Sequence, residues 1–260
     1  MTKLTSLGLA YHAVSDLSVL ANGSVFSYLD LTWNNVSDFS SITMSDFNFP
    51  VNFDFVQLLI AGNPVADYSP FESTQFFVLG MRVENDLDRA FAAASNTVIF
   101  ALDNDDLVPD FAFLSEKYID MFVCFRCGLD DPQALASLKQ AVDQNNSIAV
   151  LNVSGNGIRD LAPLAGVQLA AQGSQLPFGN SIDVSYNELT SIEPLKSIEG
   201  LFDIRANNNH LLCSYVDTFQ SESGITVTSS FLTAVDCLSD SEDDDGDGVI
   251  NINDARPLDA

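Results

Sequence analysis

The chain has 260 residues, 47% of them hydrophobic, which is enough for a sizeable core. Thirty-six Asp and Glu against ten Lys and Arg give a formal net charge of −26, which repels nucleic acid phosphates and anionic membrane surfaces, so neither is an expected partner. That balance suits a protein working in salt or with divalent cations, or serves solubility alone; no run approaches the ~18 apolar residues of a membrane span, so no membrane insertion is expected.

The start, Met1-Thr-Lys-Leu-Thr-Ser-Leu7, has no apolar signal core and runs almost directly into a repeating pattern, so an excised fragment of a larger chain is expected. The pattern is plainest in Leu29-Asp-Leu31-Thr-Trp-Asn34-Asn-Val36-Ser-Asp38-Phe39-Ser-Ser-Ile42. Leu29 and Leu31 alternate as in a short strand with one buried face. Asn34, three residues on, can turn inward and hydrogen-bond the backbone where the chain leaves the strand.

In chain order the first copy is Leu7-Gly-Leu9-Ala-Tyr-His12-Ala-Val14-Ser-Asp16-Leu17, with His12 where the next copy has Asn34, 22 residues later. Leu58-Leu-Ile60-Ala-Gly-Asn63-Pro-Val65-Ala-Asp67 follows, after a stretch from Met44 to Asn52 that reads as an inserted loop. Between Phe76 and Phe91 the register rests on Met81 or on Asn85. Phe100-Ala-Leu102-Asp-Asn-Asp105 puts an aspartate in the asparagine place, and Phe122-Val-Cys124-Phe-Arg-Cys127 a cysteine. Leu151-Asn-Val153-Ser-Gly-Asn156-Gly-Ile158-Arg-Asp160-Leu161-Ala-Pro163-Leu164 is the cleanest copy; Ile182-Asp-Val184-Ser-Tyr-Asn187 follows, and Phe202-Asp-Ile204-Arg-Ala-Asn207 reads as the last.

About nine such copies over residues 4–212 resemble leucine-rich repeats. The fold class expected is α/β: a repeat solenoid at 1–212 with a curved parallel sheet on its concave face and turns and short helices on its convex face. The best helix candidate opens at Asp131-Pro132, with Asp131 as N-cap and Leu135, Leu138 and Val142 at helical spacing; Leu87 to Ala94 is a weaker one. Residues 213–237 read as a C-terminal cap, with strands at 225–228 and 231–235. At 238 the composition turns acidic, and 238–260 is set apart as a calcium-binding repeat or a linker.

In that tail, Asp243, Asp245, Asp247, Asn251 and Asp254 fall at positions one, three, five, nine and twelve of a calcium loop; Gly248 takes the sharp turn and the carbonyl of Val249 position seven. The segment resembles thrombospondin type 3 and dockerin-type repeats, which implies Ca2+ as the bound ion; the alternative is an acidic disordered tail. Asp103, Asp105, Asp106 and Asp110 crowd one loop, read as a solvated turn with a second calcium site as the alternative.

Four cysteines do not settle the compartment by count. Cys124 and Cys127 occupy an inward strand position and the asparagine position, so both read as core thiols; no second pair or histidine completes a zinc site. His12 and His210 lie in opposite end repeats, and no nucleophile elbow, His-Glu-x-x-His or phosphate-binding glycine loop occurs, so no catalysis is expected. The residues between the inward ones point outward, and those on which a ligand could rest are Tyr11, Tyr28, Asp30, Trp33, Arg126, Asp183, Tyr186, Asp203 and Arg205. Trp33 is the sole tryptophan and a candidate anchor for a protein or a sugar ring; the other reading buries it under the 44–52 loop.

As a whole the chain resembles bacterial cell-surface leucine-rich repeat proteins of the internalin-like kind, on motifs such as Asn156-Gly-Ile158-Arg-Asp160-Leu161-Ala-Pro163-Leu164. The resemblance implies an extracellular or cell-surface recognition and adhesion module, probing a protein or glycan with its concave face. It also implies a disulfide between Cys213 and Cys237, flanking the cap, with two buried thiols as the alternative. Two other roles stay open: an intracellular scaffold or regulator, and the targeting arm of a secreted enzyme whose catalytic part lies elsewhere.

Overall fold

The computed structural model describes residues 4–20, 26–42, 57–60, 62–65, 67, 78–81, 99–103, 110–116, 118–170, 179–230, 233–234, 236–244 and 249–253. The fold is α/β, short parallel strands with few helices. The chain divides into two units, residues 1–105 with 116–124, and residues 106–115 with 125–260.

In the first unit β1 (Ser6–Gly8), β2 (Tyr28–Asp30), β3 (Gln57–Leu59), β4 (Val78–Met81) and β5 (Ile99–Asp103) pair in sequence order, all parallel. Leu7, Leu29, Leu58, Leu79 and Phe100 align across the strands, and Met81 stands opposite Leu102, so the register of the degenerate repeat rests on Met81. Asn85, the 87–94 helix candidate and the 44–52 insert lie outside the described residues. Strand β6 (Met121–Phe125) buries Phe122 and Cys124. In the second unit β7 (Val150–Asn152), β8 (Ser181–Asp183), β9 (Asp203–Arg205) and β10 (Thr226–Ser230) are again parallel and sequential, and β11 (Thr233–Ala234) closes antiparallel on β10.

Inward side chains build the core: Leu29, Leu31, Val36, Phe39 and Ile42 are all buried, as are Leu151, Val153, Ile158, Leu161 and Leu164 of the cleanest copy. Each copy alone leaves these residues half in water, so burial comes only from the neighbouring copy.

The asparagines do what their position demands. Asn34 accepts at Oδ1 from His12 N (3.1 Å) and Val14 N (2.8 Å) of the preceding copy, and donates to the carbonyls of Leu9, Leu31 and Thr32. Asn63 repeats this one copy on, taking Val36 N and giving to Leu31 O and Ile60 O. Asn156 takes Cys127 N at 2.7 Å, and Asn187 takes Asn156 N and Ile158 N. A flat parallel turn leaves these backbone groups unpaired inside the core, and a buried amide with two donors and one acceptor satisfies several at once.

The last copy corrects the expected register. Asn209, not Asn207, is the buried asparagine: its Oδ1 accepts from Leu189 N (3.1 Å) and its Nδ2 donates to Val184 O, Ala206 O and Asn207 O. Since Ile182 aligns with Ile204, the inward residues are Ile204 and Ala206, and Asn209 follows three residues later, as Asn187 follows Val184.

Helix α1 (Pro132–Asn145) forms where expected. Asp131 Oδ1 accepts from Gln133 N at 2.8 Å, Pro132 opens the first turn, and Ala134, Leu135, Leu138, Ala141 and Val142 are buried. The same aspartate-to-backbone bond recurs at turns of other copies, where Asp16, Asp38 and Asp160 each accept the N–H two residues on at 2.8 Å. The carboxyls of Asp16 and Asp38 lie below the usual aspartate value, at Asp16 chiefly through the Ser18 backbone N–H and at Asp38 chiefly through the Ser40 side chain, then its N–H.

The region expected to cap the chain with strands contains a helix as well, α2 (Cys213–Ser223), ended by Gly224 at φ +70. Val216 and Phe219 are its buried face. Tyr215 Oη accepts from Ile192 N at 2.9 Å, and Lys196 lies over the Phe219 ring while pairing with Glu193 and Glu222.

Candidate functional site

In each unit the outward positions of the strands and the turn just before the asparagine position form a candidate ligand face. That turn is left-handed in every described copy: Tyr11, Trp33, Arg126, Tyr186 and Asn208 have φ between 51 and 62, and Gly62 and Gly155 have φ of 72 and 67. Chain reversal into the asparagine requires this backbone, which non-glycine residues adopt only where the surroundings fix it. It raises the side chain of that residue off the sheet, so an aromatic there is presented rather than buried.

In the first unit Tyr11 and Trp33 stack, with ring centroids 6.0 Å apart and planes 11° from parallel. The far side of the indole lies against Gly62, where an added Cβ would come within 2.7 Å of it. Trp33 is therefore a middle layer, and Tyr11, 73% exposed, is the outermost ring. Beside them the Tyr28 hydroxyl donates to Asp30 Oδ2 (3.3 Å), while Asp30 Oδ1 accepts from the N–H (2.9 Å) and Oγ1 (2.7 Å) of Thr32. Burial, then the Asp30 charge, raises the Tyr28 phenol above its ordinary pKa.

The second unit repeats the layering. The Phe125 ring lies against Gly155, and the Arg126 guanidinium sits 5.3 Å from its centroid. Across β7, β8, β9 and β10 a polar row runs from Asn152 Nδ2 to Asp183 Oδ2 (3.3 Å), from Asp183 to Arg205 (3.9 Å), from Arg205 to Asp203 (4.0 Å), and from Thr228 Oγ1 to Asp203 Oδ1 (3.0 Å). Asp203 is held above the usual aspartate range chiefly by burial; the Thr228 bond and Arg205 oppose that and Asp183 adds to it. Tyr186 projects at 62% exposure, whereas Ser185, its neighbour, is buried and accepts Asn207 N on Oγ.

The structure thus places Tyr11, Tyr28, Asp30 and Trp33 together in one unit and Asp183, Asp203 and Arg205 together in the other. The sequence reading did not single out the two glycines on which the rings lie. Their signal was present: glycine in the left-handed position one copy after a large ring.

At the C-terminus Cys213 and Cys237 are joined, with Cα atoms 5.1 Å apart. Cys124 and Cys127 are fully buried, as their positions require, but the thiol assignment is overturned: both are disulfide-bonded and no cysteine is free. The expectation rested on strand position, which fixes burial and says nothing about oxidation.

Of the expected calcium ligands, Asp245, Asp247 and Asp254 lie outside the described residues, as do Asp105 and Asp106 of the second acidic loop. Asp243 and Val249 are exposed, and Asn251 is buried with its amide bonded to Ser239 O (2.7 Å) and to Asp244 Oδ2 (2.8 Å) and N (3.2 Å). Carboxylates with an amide and a carbonyl are the oxygen donors a hard cation takes, so the donor set fits calcium in kind. Among the described residues no three His, Cys, Asp or Glu side chains converge as a metal centre. No described helix is long and apolar enough to cross a membrane.

No family model and no curated protein matches this sequence. Among solved structures the chain is similar to the crystal structure of an internalin from Listeria monocytogenes, at 19% identity over 91% of this chain and 67% of that one, with a TM-score of 0.46.

Proposed function

We propose that the chain is a leucine-rich repeat solenoid acting as an extracellular or bacterial cell-surface recognition module. It binds a protein or glycan on the concave face, carries no catalytic activity of its own, works as a monomer, and holds a structural Ca2+ in the acidic tail. One observation carries the reading: the left-handed turn before the asparagine position leaves Tyr11 exposed in the first unit, which also holds Asp30, and Tyr186 exposed in the second, which also holds Asp183. Exposed aromatic rings next to fixed hydrogen-bonding groups are what a protein hot spot or a sugar ring uses. The disulfide-bonded cysteines support an oxidising compartment.

The test is binding of labelled protein to a glycan array and to intact cells. Tyr11→Ser and Tyr186→Ser on the ligand face are compared with Glu222→Gln on the cap helix. Loss with the tyrosine variants alone supports the reading; equal loss in all three, or none, overturns it. For calcium, titration calorimetry of wild type against the Asp245→Ala/Asp247→Ala pair should show a dissociation constant of about 10⁻⁴–10⁻³ M, lost in the variant; equal binding by both would place the site elsewhere.

A further inference from the structure

Tyr11 ends a stack that is seated from below. Its ring lies nearly parallel to Trp33, and the indole lies against Gly62, so the aromatic face rests on backbone rather than on another mobile side chain. The outer side of Tyr11 is in solvent. Tyr11 N donates to Thr32 O at 3.0 Å, and the Thr32 N–H and hydroxyl both go to Asp30 Oδ1, so printed bonds tie the ring's backbone to the strand that carries the carboxylate. Three of the roughly four acceptor sites of Asp30 are taken, by Tyr28 Oη and twice by Thr32, which leaves one for a donor from outside. Opposite Asp30 in β1 stands Gly8, with open space where a Cβ would be.

The face of an aromatic ring attracts cations. The surroundings add to that: between Lys3 and Arg82 the sequence has seven Asp and Glu and no Lys or Arg. The second unit shows what such a ring takes when the chain has a cation at hand. There Phe125 lies on Gly155, and the Arg126 guanidinium stands 5.3 Å from the Phe125 centroid. The order is glycine, ring, guanidinium. In the first unit it is glycine, indole, phenol, and the stretch from 4 to 81 has no residue to supply the guanidinium layer.

We propose that the outer face of Tyr11, with Asp30 in the adjacent strand, docks an arginine side chain of a basic protein partner. The inference rests on the recognition reading above and narrows it from a protein or glycan to a protein with arginine at its contact surface. The guanidinium lies flat on the phenol ring and gives an N–H to the open acceptor site of Asp30. Lysine fits less well, since its ammonium is a hydrated point charge without a face to stack. A neutral sugar draws nothing from the acidic surroundings, and a sialylated or sulfated one is repelled.

Trp33 fluorescence of the whole chain reads the site, because the sole tryptophan is stacked with Tyr11. The probes are an acetylated, amidated Gly-Arg repeat peptide, its lysine and citrulline counterparts, and maltoheptaose, all in 150 mM NaCl so that general attraction to the acidic chain is screened. The arginine peptide should give a saturable shift, the lysine peptide a weaker one, and citrulline and the sugar none. Tyr11→Phe should keep the response. Tyr11→Leu, which alters no charge, should weaken binding about two- to fivefold, and Asp30→Asn should weaken it as well. Citrulline keeps the shape of arginine without its charge, so that comparison is decisive even if Tyr11→Leu disturbs the fold. No response to the arginine peptide, equal binding of the lysine or citrulline peptide, equal binding by wild type and folded Tyr11→Leu, or a response to the sugar alone overturns the inference. If it falls while binding to cells still needs Tyr11, the recognition reading stands without a basic partner; if cell binding is also indifferent to Tyr11 and Tyr186, both fall.

Discussion

Trp33 and Gly62 are bound to each other's geometry: the indole lies where a Cβ on Gly62 would be, 2.7 Å from two of its carbons, and Gly62 itself has φ +72. Gly62→Ala therefore meets both a steric and a backbone penalty, together roughly 1–3 kcal/mol. As Trp33 is the sole tryptophan, its fluorescence reports the site directly. The variant should lower the melting temperature and shift the emission to the red. Unchanged emission with unchanged stability would mean the ring does not lie on the glycine.

Asn209→Ala and Asn207→Ala separate the two possible registers of the last copy. Asn209 satisfies Leu189 N and three carbonyls inside the core, so its loss leaves several backbone groups unpaired and should cost about 2–3 kcal/mol. Asn207 is half-buried at the outer face, and its side chain should matter much less. Denaturant midpoints falling in the reverse order would restore Asn207 to the ladder.

Val153→Asp puts a charge at a fully buried position between neighbouring copies and should unfold the second unit locally. Asn152→Asp is milder but not neutral, since Asn152 Nδ2 lies 3.3 Å from Asp183 Oδ2 and the new carboxylate would face that charge. A cost of about 0.5–1 kcal/mol at low salt, shrinking in 0.5 M NaCl, is expected. Equal thermal losses for the two variants would mean that the faces are exchanged.

Mass spectrometry without reductant should recover Cys213 linked to Cys237, and alkylation of the folded protein should label none of the four cysteines. Replacing the 213/237 pair by serine should cost roughly 3 kcal/mol for a loop of this length. A labelled Cys124 or Cys127 would return both to the thiol state.

Asp203 carries a pH signature. Its carboxyl is held above the ordinary 3.8 in the folded chain, so between that value and the folded one the native state binds more protons than the unfolded state. Stability from this group is thus greatest in acid and is lost as pH rises through the window. Asp203→Asn keeps an oxygen for the Thr228 hydroxyl, removes the buried charge, and should flatten that fall when stability is followed from pH 3 to 7. A steeper fall in the variant would mean Arg205 outweighs burial.

The sequence alone determined the repeat period, the inward residues of the clear copies before the last, and helix α1, because each rests on local chemistry: alternation for a strand, an inward amide at its end, Asp131-Pro132 as a helix start. It could not choose within Asn207-Asn208-Asn209, where three identical residues compete and only pairing of Ile182 with Ile204 selects the last. Helix α2 escaped it because the Asp240 acceptor at its start lies 26 residues beyond Ser214. The oxidation of Cys124 and Cys127, the layering of Trp33 between Tyr11 and Gly62, and the raised carboxyl of Asp203 were likewise decided by tertiary structure. The last two depend on what a neighbouring copy places beside the residue, a distance in space that the spacing along the chain does not encode, and strand position fixes the burial of the two cysteines but not their oxidation.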